Sequence, residues 1–220
     1  IEEIQDQVEL ALMRAGEQKV ARDYVIYRNE RSKERATRGT QVPAQAHPSI
    51  RVTHLDGSVA PLDLGRMHTI ISEACEGLAE VDGELIQSET LKNLYDGVAQ
   101  SDVSTALVMT ARTLVEREPN YSYVTARLLM DNIRAEGLGF LGVAASATHH
   151  EMSEFYAKAL PAYIAKGIEF ELLNPVLASF DLEKLGKAIN HERDQQFTYL
   201  GLQTLYDRYF IHKDGVRFEL

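Results

Sequence analysis

Cysteine is almost missing from these 220 residues: Cys75 stands alone. A single thiol cannot close an internal disulfide, and it cannot build a Cys-rich zinc site. Positive charge is also scarce. Twenty-three Lys and Arg face 33 Asp and Glu, for a net charge of -10. That balance excludes a general nucleic-acid binder, which needs a basic surface. A local basic pocket for a small anion stays open. No apolar run nears the length of a membrane span, and no signal peptide is visible. A reducing cytoplasm fits these absences. No nucleophile elbow, Walker loop or kinase pattern occurs, so the residues alone give no catalytic constellation. The chain opens on "IEEIQDQVELAL", with no methionine. That stretch reads as the middle of an amphipathic helix, and the chain as a fragment.

What is present is ordinary globular composition, 45% apolar and 25% charged, enough for a real core. Ile4, Val8, Ala11, Leu12 and Ala15 share one helical face, and Gly16 suits the residue after a helix end. A second helix starts near Glu17, with Val20, Tyr24 and Tyr27 inward. It ends in "RNERSKERATR", most simply a solvated helix end. "GTQVPAQAHPS" has glycine, two prolines and no periodicity, so residues 39–49 read as a linker.

Next comes "IRVTHLDGSVAPLDLGRMHTIISEACEGL". Ile50, Val52 and His54 alternate with Arg51, Thr53 and Leu55. Asp56-Gly57 is a hairpin signal, because glycine tolerates the positive φ of a primed turn. The return strand stops at Pro61. Asp63 can cap a helix whose buried stripe is Leu64, Met67, Ile70, Ile71, Ala74 and Leu78. Cys75 lies beside that stripe, as a small buried thiol. A short helix is expected over 89–95 with Ser88 as its cap. Another follows with Ser101 as its cap and stops before Pro119, and one more spans 120–137. The region is thus a hairpin followed by about four helices. The start of the chain and residues 101–134 share a layout: amphipathic helix, short break, then a helix entered through Ala-Arg. Ala21-Arg22 matches Ala126-Arg127, which reads as a duplicated unit whose first copy lacks its front half.

From Leu138 the chain stays helical, with Pro161 a candidate kink, Asp181 a cap, and Asp214-Gly215 the turn of a closing hairpin. "GLGFLG", residues 137–142, matches a dinucleotide-binding pattern. That mechanism needs a preceding strand, whereas a helix is expected here, so chance explains the match. In "THHEMSEF", His150 and Glu154 have a workable metal spacing, but one turn alone contributes and no third ligand is visible. His191, Glu192 and Asp194 read as a surface acidic cluster around a histidine. No metal site is expected.

The hairpin stretch, with "LKNLYDGVAQSDV" and "NYSYVTARLLMDNIR" after it, resembles the ATP-cone. That is the allosteric nucleotide-binding module at the amino terminus of many ribonucleotide reductases. "HERDQQFTYLGLQTLYDRYFI" resembles the start of the main domain of a class I ribonucleotide reductase large subunit. Together they cover nearly the whole chain. The resemblance implies a mainly α fold, with a small β-hairpin plus four-helix bundle as its cone. It implies the C-terminal helices of a first cone over 1–38, a linker over 39–49, a second cone over 50–137, and a helical connection into the main domain over 138–220. It further implies reduction of ribonucleoside diphosphates by catalytic cysteines that lie outside this chain. This part would be the regulatory front, sensing ATP against dATP and setting activity through oligomer contacts. The implied partners are further large subunits and the radical-generating small subunit, with neither nucleic acid nor membrane. A ligand-free helical interaction module is the rival reading. A nucleotide-sensing transcriptional repressor is another, disfavoured because a Cys-rich zinc ribbon precedes its cone.

The resemblance also places site residues. In the family, basic residues precede the hairpin Asp-Gly; here His54 and Leu55 stand there, and they attract phosphate far less than Lys-Arg. A polar residue of the return strand is Ala60 here. Arg66, on the first helix, still offers a cation. Third-helix Thr and His become Gln100 and Ser104, and last-helix aromatic or basic positions become Asp131 and Asn132. Asp131 would repel a triphosphate. The second cone is therefore expected to bind no nucleotide. In the first copy, Gln5 takes the third-helix position and Ile26, Tyr27, Glu30 and Arg31 the last-helix positions. Tyr27 can pack on adenine or ribose, and Arg28 or Arg31 can reach phosphates. ATP or dATP with Mg is the expected effector of that first cone only.

Overall fold

The computed structural model describes residues 50–54 and 57–220. The helices expected over 1–38, the linker and the Asp56 turn residue lie outside the described residues.

Strand β1 (Arg51–Thr53) pairs antiparallel with β2 (Val59–Pro61), register Val52 to Ala60. Gly57 adopts φ +81 between them, a conformation that costs a side-chain-bearing residue far more. Of the three expected inward residues, Val52 is buried and Ile50 half-buried, whereas His54 is exposed where the strand runs out. Sequence patterning missed a third strand, β3 (Val98–Ala99), which pairs parallel with β1 to give the order β2-β1-β3. Two residues carry no readable alternation, and their partner lies more than forty positions away.

Charge closes this sheet. The Arg51 guanidinium lies 2.6 Å from Asp96, and the Arg51 N–H donates to the same carboxylate at 2.9 Å. These bonds hold the Asp96 carboxyl down to about 2. With the folded value depressed, any stabilisation from the pair is complete above the ordinary carboxylate range and is lost as pH falls through about 2. A carboxyl-detected NMR titration should give Asp96 a midpoint near 2, and Arg51→Ala should return it towards the ordinary value. An ordinary midpoint in the parent chain would contradict the tie.

Four helices follow. Helix α1 (Leu64–Cys75) is capped by Asp63, whose carboxylate accepts from the Arg66 N–H at 2.8 Å, and it buries Met67, Ile71 and Ala74. Leu64, expected in the stripe, is 44% exposed because it opens the first turn. Helix α2 is Gly83–Asn93, not 89–95. Its cap is Asp82, accepting from the Leu85 N–H, while Ser88 sits mid-helix and donates to the Leu85 carbonyl. Asp82-Gly83 has the composition of a turn but serves as cap and first residue. Helix α3 (Gln100–Thr113) begins directly after β3 with no side-chain cap, so Ser101 lies inside its first turn. Helix α4 (Tyr121–Leu141) passes beyond the expected end at Gly137 and stops at Gly142, φ +69. "GLGFLG" is thus the end of a helix, and no strand presents it.

The repeated Ala-Arg now has a physical explanation in the second copy. Ala126 is 1% exposed, small enough to let α4 approach its neighbours. The Arg127 guanidinium donates to the Ala74 carbonyl at 3.0 Å and the Glu76 carbonyl at 2.7 Å. It thereby satisfies carbonyls left open at the end of α1.

Helix α5 (Met152–Glu169) contains Pro161 and runs through it without a break. A short 3-10 turn (Pro175–Ser179) leads to α6 (Leu182–Ala188), capped by Asp181 as expected. A Cβ at Gly186 would come 2.8 Å from the Ala157 Cα, so only glycine permits this approach to α5. The neighbouring Ala157 carbonyl is the one that Pro161 cannot bond. A second 3-10 turn (His191–Gln196), α7 (Tyr199–Arg208) and the hairpin β4 (His212–Lys213) with β5 (Val216–Arg217) complete the chain. Asp214 and Gly215 both have positive φ, the turn that Asp-Gly favours.

Helix α4 joins two apolar cores. Its first half packs with Val52, Met67, Ile71, Ile86, Val98 and Leu107, and Leu202 of α7 joins them. Its last turns, through Leu138 and Leu141, pack with Met152, Tyr156 and Phe218. Residues 49–220 cluster as one unit.

Candidate functional site

Asp63 sets the start of α1, and so places Arg66 in its first turn. From there the guanidinium reaches across to α4. Its Nη2 donates to both Asp131 oxygens, at 2.9 and 3.1 Å. Asp131 is 7% exposed and Arg134, one turn further along α4, is 4% exposed. Burial pushes the Asp131 carboxyl above its ordinary value, and the charges of Arg66 and Arg134 pull against that. Of the residues expected to line a nucleotide site in this half, the structure joins only Arg66 and Asp131. His54 and Gln100 are exposed, and Ser104 and Asn132 are half-buried. Among the described residues, no hydrogen bond or ion pair ties these four side chains to that pair. Gln5, Ile26, Tyr27, Arg28 and Arg31 lie outside the described residues.

Beyond Arg134 the polar contacts continue. Its Nη2 lies 3.5 Å from Asp194 and 3.4 Å from His149 Nδ1. Tyr156 donates to Asp194 at 2.8 Å, and burial drives its phenol beyond the usual tyrosine range. The His149 N–H donates to Glu73, and His150 Nε2 lies 3.1 Å from Glu76. His149, rather than His150, gathers with His191 and Glu192, their ligand atoms all within 4.8 Å. His150 and Glu154 do not act together, because α5 begins only at Met152. Arg134 thus faces His149 Nδ1, and Glu192 lies 3.8 Å from its Nε2. Burial, followed by Arg134, lowers the His149 pKa. The group is a hydrogen-bonded charge network between α1, α4 and the 3-10 turn. It runs deeper than the surface acidic cluster that the sequence suggested.

Cys75 is half-buried, and burial pushes its thiol up, so it stays protonated and weakly nucleophilic.

The ATP cone domain family matches residues 1–33 and 50–136, more than half of the chain. The chain belongs to the ATP-cone family. Over its whole length it is 37% identical to the ribonucleoside-diphosphate reductase subunit alpha of Chlamydia pneumoniae, covering 21% of that protein. It is 28% identical to the same subunit of Helicobacter pylori over 74% of this chain and 19% of the relative. With subunit alpha of reductase 1 from Escherichia coli it shares 26% identity over 74% of this chain and 20% of the relative. The chain therefore spans about a fifth of the length of these relatives, and what it matches is their N-terminal region. The cone over 50–136 comprises β1 to β3, α1 to α3 and α4 up to its last turns, with Arg66 and Asp131 inside it.

Sequence reasoning named Asp131 and Arg66 separately and did not pair them. Arg134 was missed. A signal for Asp131 and Arg134 was available. Both are ionisable residues in a helix whose other buried positions include Val124, Leu128, Ile133 and Leu138, and such residues require partners inside.

Proposed function

We propose that this chain is the regulatory front of a ribonucleoside-diphosphate reductase large subunit, with an effector-free cone over residues 50–137. In this reading residues 1–38 belong to a first cone that takes ATP or dATP with Mg, and residues 138–220 lead into the catalytic part. Nucleotide in the first cone favours one packing of large subunits over another, and differential affinity for the two packings sets the shift. The radical-generating small subunit is the other partner, and the cytoplasm the setting. Substrate reduction belongs to the rest of the subunit.

The observation that carries the effector-free reading is the Arg66–Asp131 pair. Arg66 is the basic residue of the first helix that a phosphate would need, and its Nη2 is engaged by an internal carboxylate at 2.9 Å. A triphosphate would have to displace a buried anion that cannot leave. The hairpin offers no replacement, since Arg51 is engaged with Asp96.

Calorimetric titration of dATP with Mg tests this. Any binding shown by the chain should weaken at least tenfold when Tyr27 and Arg31 are both replaced by alanine, the loss expected for an aromatic stack or a charge-assisted phosphate contact. Unchanged affinity in that variant would remove the first copy as the site.

A further inference from the structure

Two histidines from distant parts of the chain meet at one carboxylate. His149 lies in the loop between α4 and α5, and His191 and Glu192 open the second 3-10 turn. The two imidazole rings are 5.1 Å apart between centroids. Glu192 reaches both: Oε1 is 3.1 Å from His191 Nε2, and Oε2 is 3.8 Å from His149 Nε2. Zinc and similar ions hold imidazole nitrogen and carboxylate oxygen at about 2.0–2.2 Å, which places tetrahedral ligands roughly 3.4 Å from one another. The two separations here, 3.1 and 3.8 Å, bracket that spacing. At 3.8 Å the contact of Glu192 with His149 is also beyond hydrogen-bonding reach. A shared cation would draw both imidazoles to the carboxylate at once.

The scaffold around these three side chains is already in place. His149 is 5% exposed, and its backbone N–H donates to Glu73 at 2.7 Å. Asn190 caps the 3-10 turn by accepting from the Glu192 N–H at 3.0 Å. The Glu192 side chain is 62% exposed, which leaves an entry path from solvent. Arg134, beside His149 Nδ1, is the nearby positive charge that opposes a cation, and Asp194 pairs with it at 3.5 Å. Glu73 and Glu76 add negative charge on the α1 side.

We propose that His149, His191 and Glu192 form a binding site for a divalent transition-metal ion of the zinc class, with solvent as the fourth ligand. Two imidazoles and one carboxylate suit such an ion better than magnesium or calcium, which take oxygen donors. The ion would clip the loop that follows the cone to the 3-10 turn. The site differs from the His150 and Glu154 spacing weighed in the sequence, and it is independent of the nucleotide reading of either cone.

The test is calorimetric titration of zinc chloride, without nucleotide, into the 220-residue chain cleared of metal by a chelator. One ion per chain is expected. His191→Ala and Glu192→Gln alter side chains outside the core, and circular dichroism checks that both variants fold. Each should weaken zinc binding by at least about tenfold, the smallest loss usual even for residues that only support a metal ligand. His150→Ala removes a neighbouring exposed imidazole, and Cys75→Ala the single thiol; both should keep the parent's affinity. Cobalt(II) in place of zinc should give the visible absorption of a four-coordinate site without a thiolate charge-transfer band. No stoichiometric binding by the parent would overturn the proposal. So would unchanged affinity in folded His191→Ala or Glu192→Gln, or a loss in His150→Ala or Cys75→Ala as large as theirs. Should His191→Ala fail to fold, Glu192→Gln and the cobalt spectrum decide.

Discussion

Asp131→Ala should lower the stability of the chain by about 3 kcal/mol, the lower end of what breaking a buried ion pair costs. The carboxylate is 7% exposed, so its removal strands charge rather than returning it to water. Arg66 carries the loss, because Asp131 is its ion-pair partner among the described residues. Solvent reaches 32% of its side chain, which limits that loss. Relief of the Asp131 desolvation cost offsets part of the sum, which is why the lower end applies. At about 2–4 °C per kcal/mol for a chain of this size, the melting point should fall by roughly 10 °C. Urea unfolding followed by circular dichroism measures it. A loss below about 1 kcal/mol would mean that the pair is a loosely solvated contact, and the account of α1 held to α4 would fail with it.

Phe218→Ala should cost about 4 kcal/mol, within the range for truncating a buried aromatic. Phe218 is fully buried after the final hairpin, with ring centroids 5.2 Å from Phe140, 5.7 Å from Tyr163 and 6.1 Å from Phe170. These rings come from α4 and from α5 with the residue that ends it, so one side chain joins the chain's end to two helices. Glu136 fastens the same corner. It accepts from the Tyr206 hydroxyl and from the Arg217 N–H, both at 2.6 Å. The C-terminal part is therefore bolted to the last helix of the cone, and a rearrangement of α4 would be felt there. A cost under about 1 kcal/mol would show that the hairpin rests on α4 without sharing its core.

What could be read from the residues was local. Asp214-Gly215 specifies its own turn, and Asp63 and Asp181 cap the helices that follow them, because each interaction closes within a few positions. The mainly helical bundle with a small hairpin followed from the 3.6-residue stripes of Met67, Ile71 and Ala74. Long-range pairings were illegible. β3 is defined by Val98 meeting Val52, and neither residue announces the other. The Arg66–Asp131 pair spans 65 positions. Read singly, Arg66 was a cation awaiting phosphate and Asp131 a repulsive charge, and only the fold shows that each faces the other. His149 meets the adjacent His191 and Glu192 across more than forty positions, illegible for the same reason. Asp82 was passed over because Asp-Gly signals a turn and a helix start equally well.

The most direct test of the central claim is titration of dATP with Mg into the parent chain and into Arg66→Ala. The account predicts identical titrations, whether the parent binds through residues 1–38 or not at all, because Arg66 serves Asp131 and no nucleotide. Binding in the parent that disappears in Arg66→Ala would place nucleotide in the cone over residues 50–137, and would contradict the account.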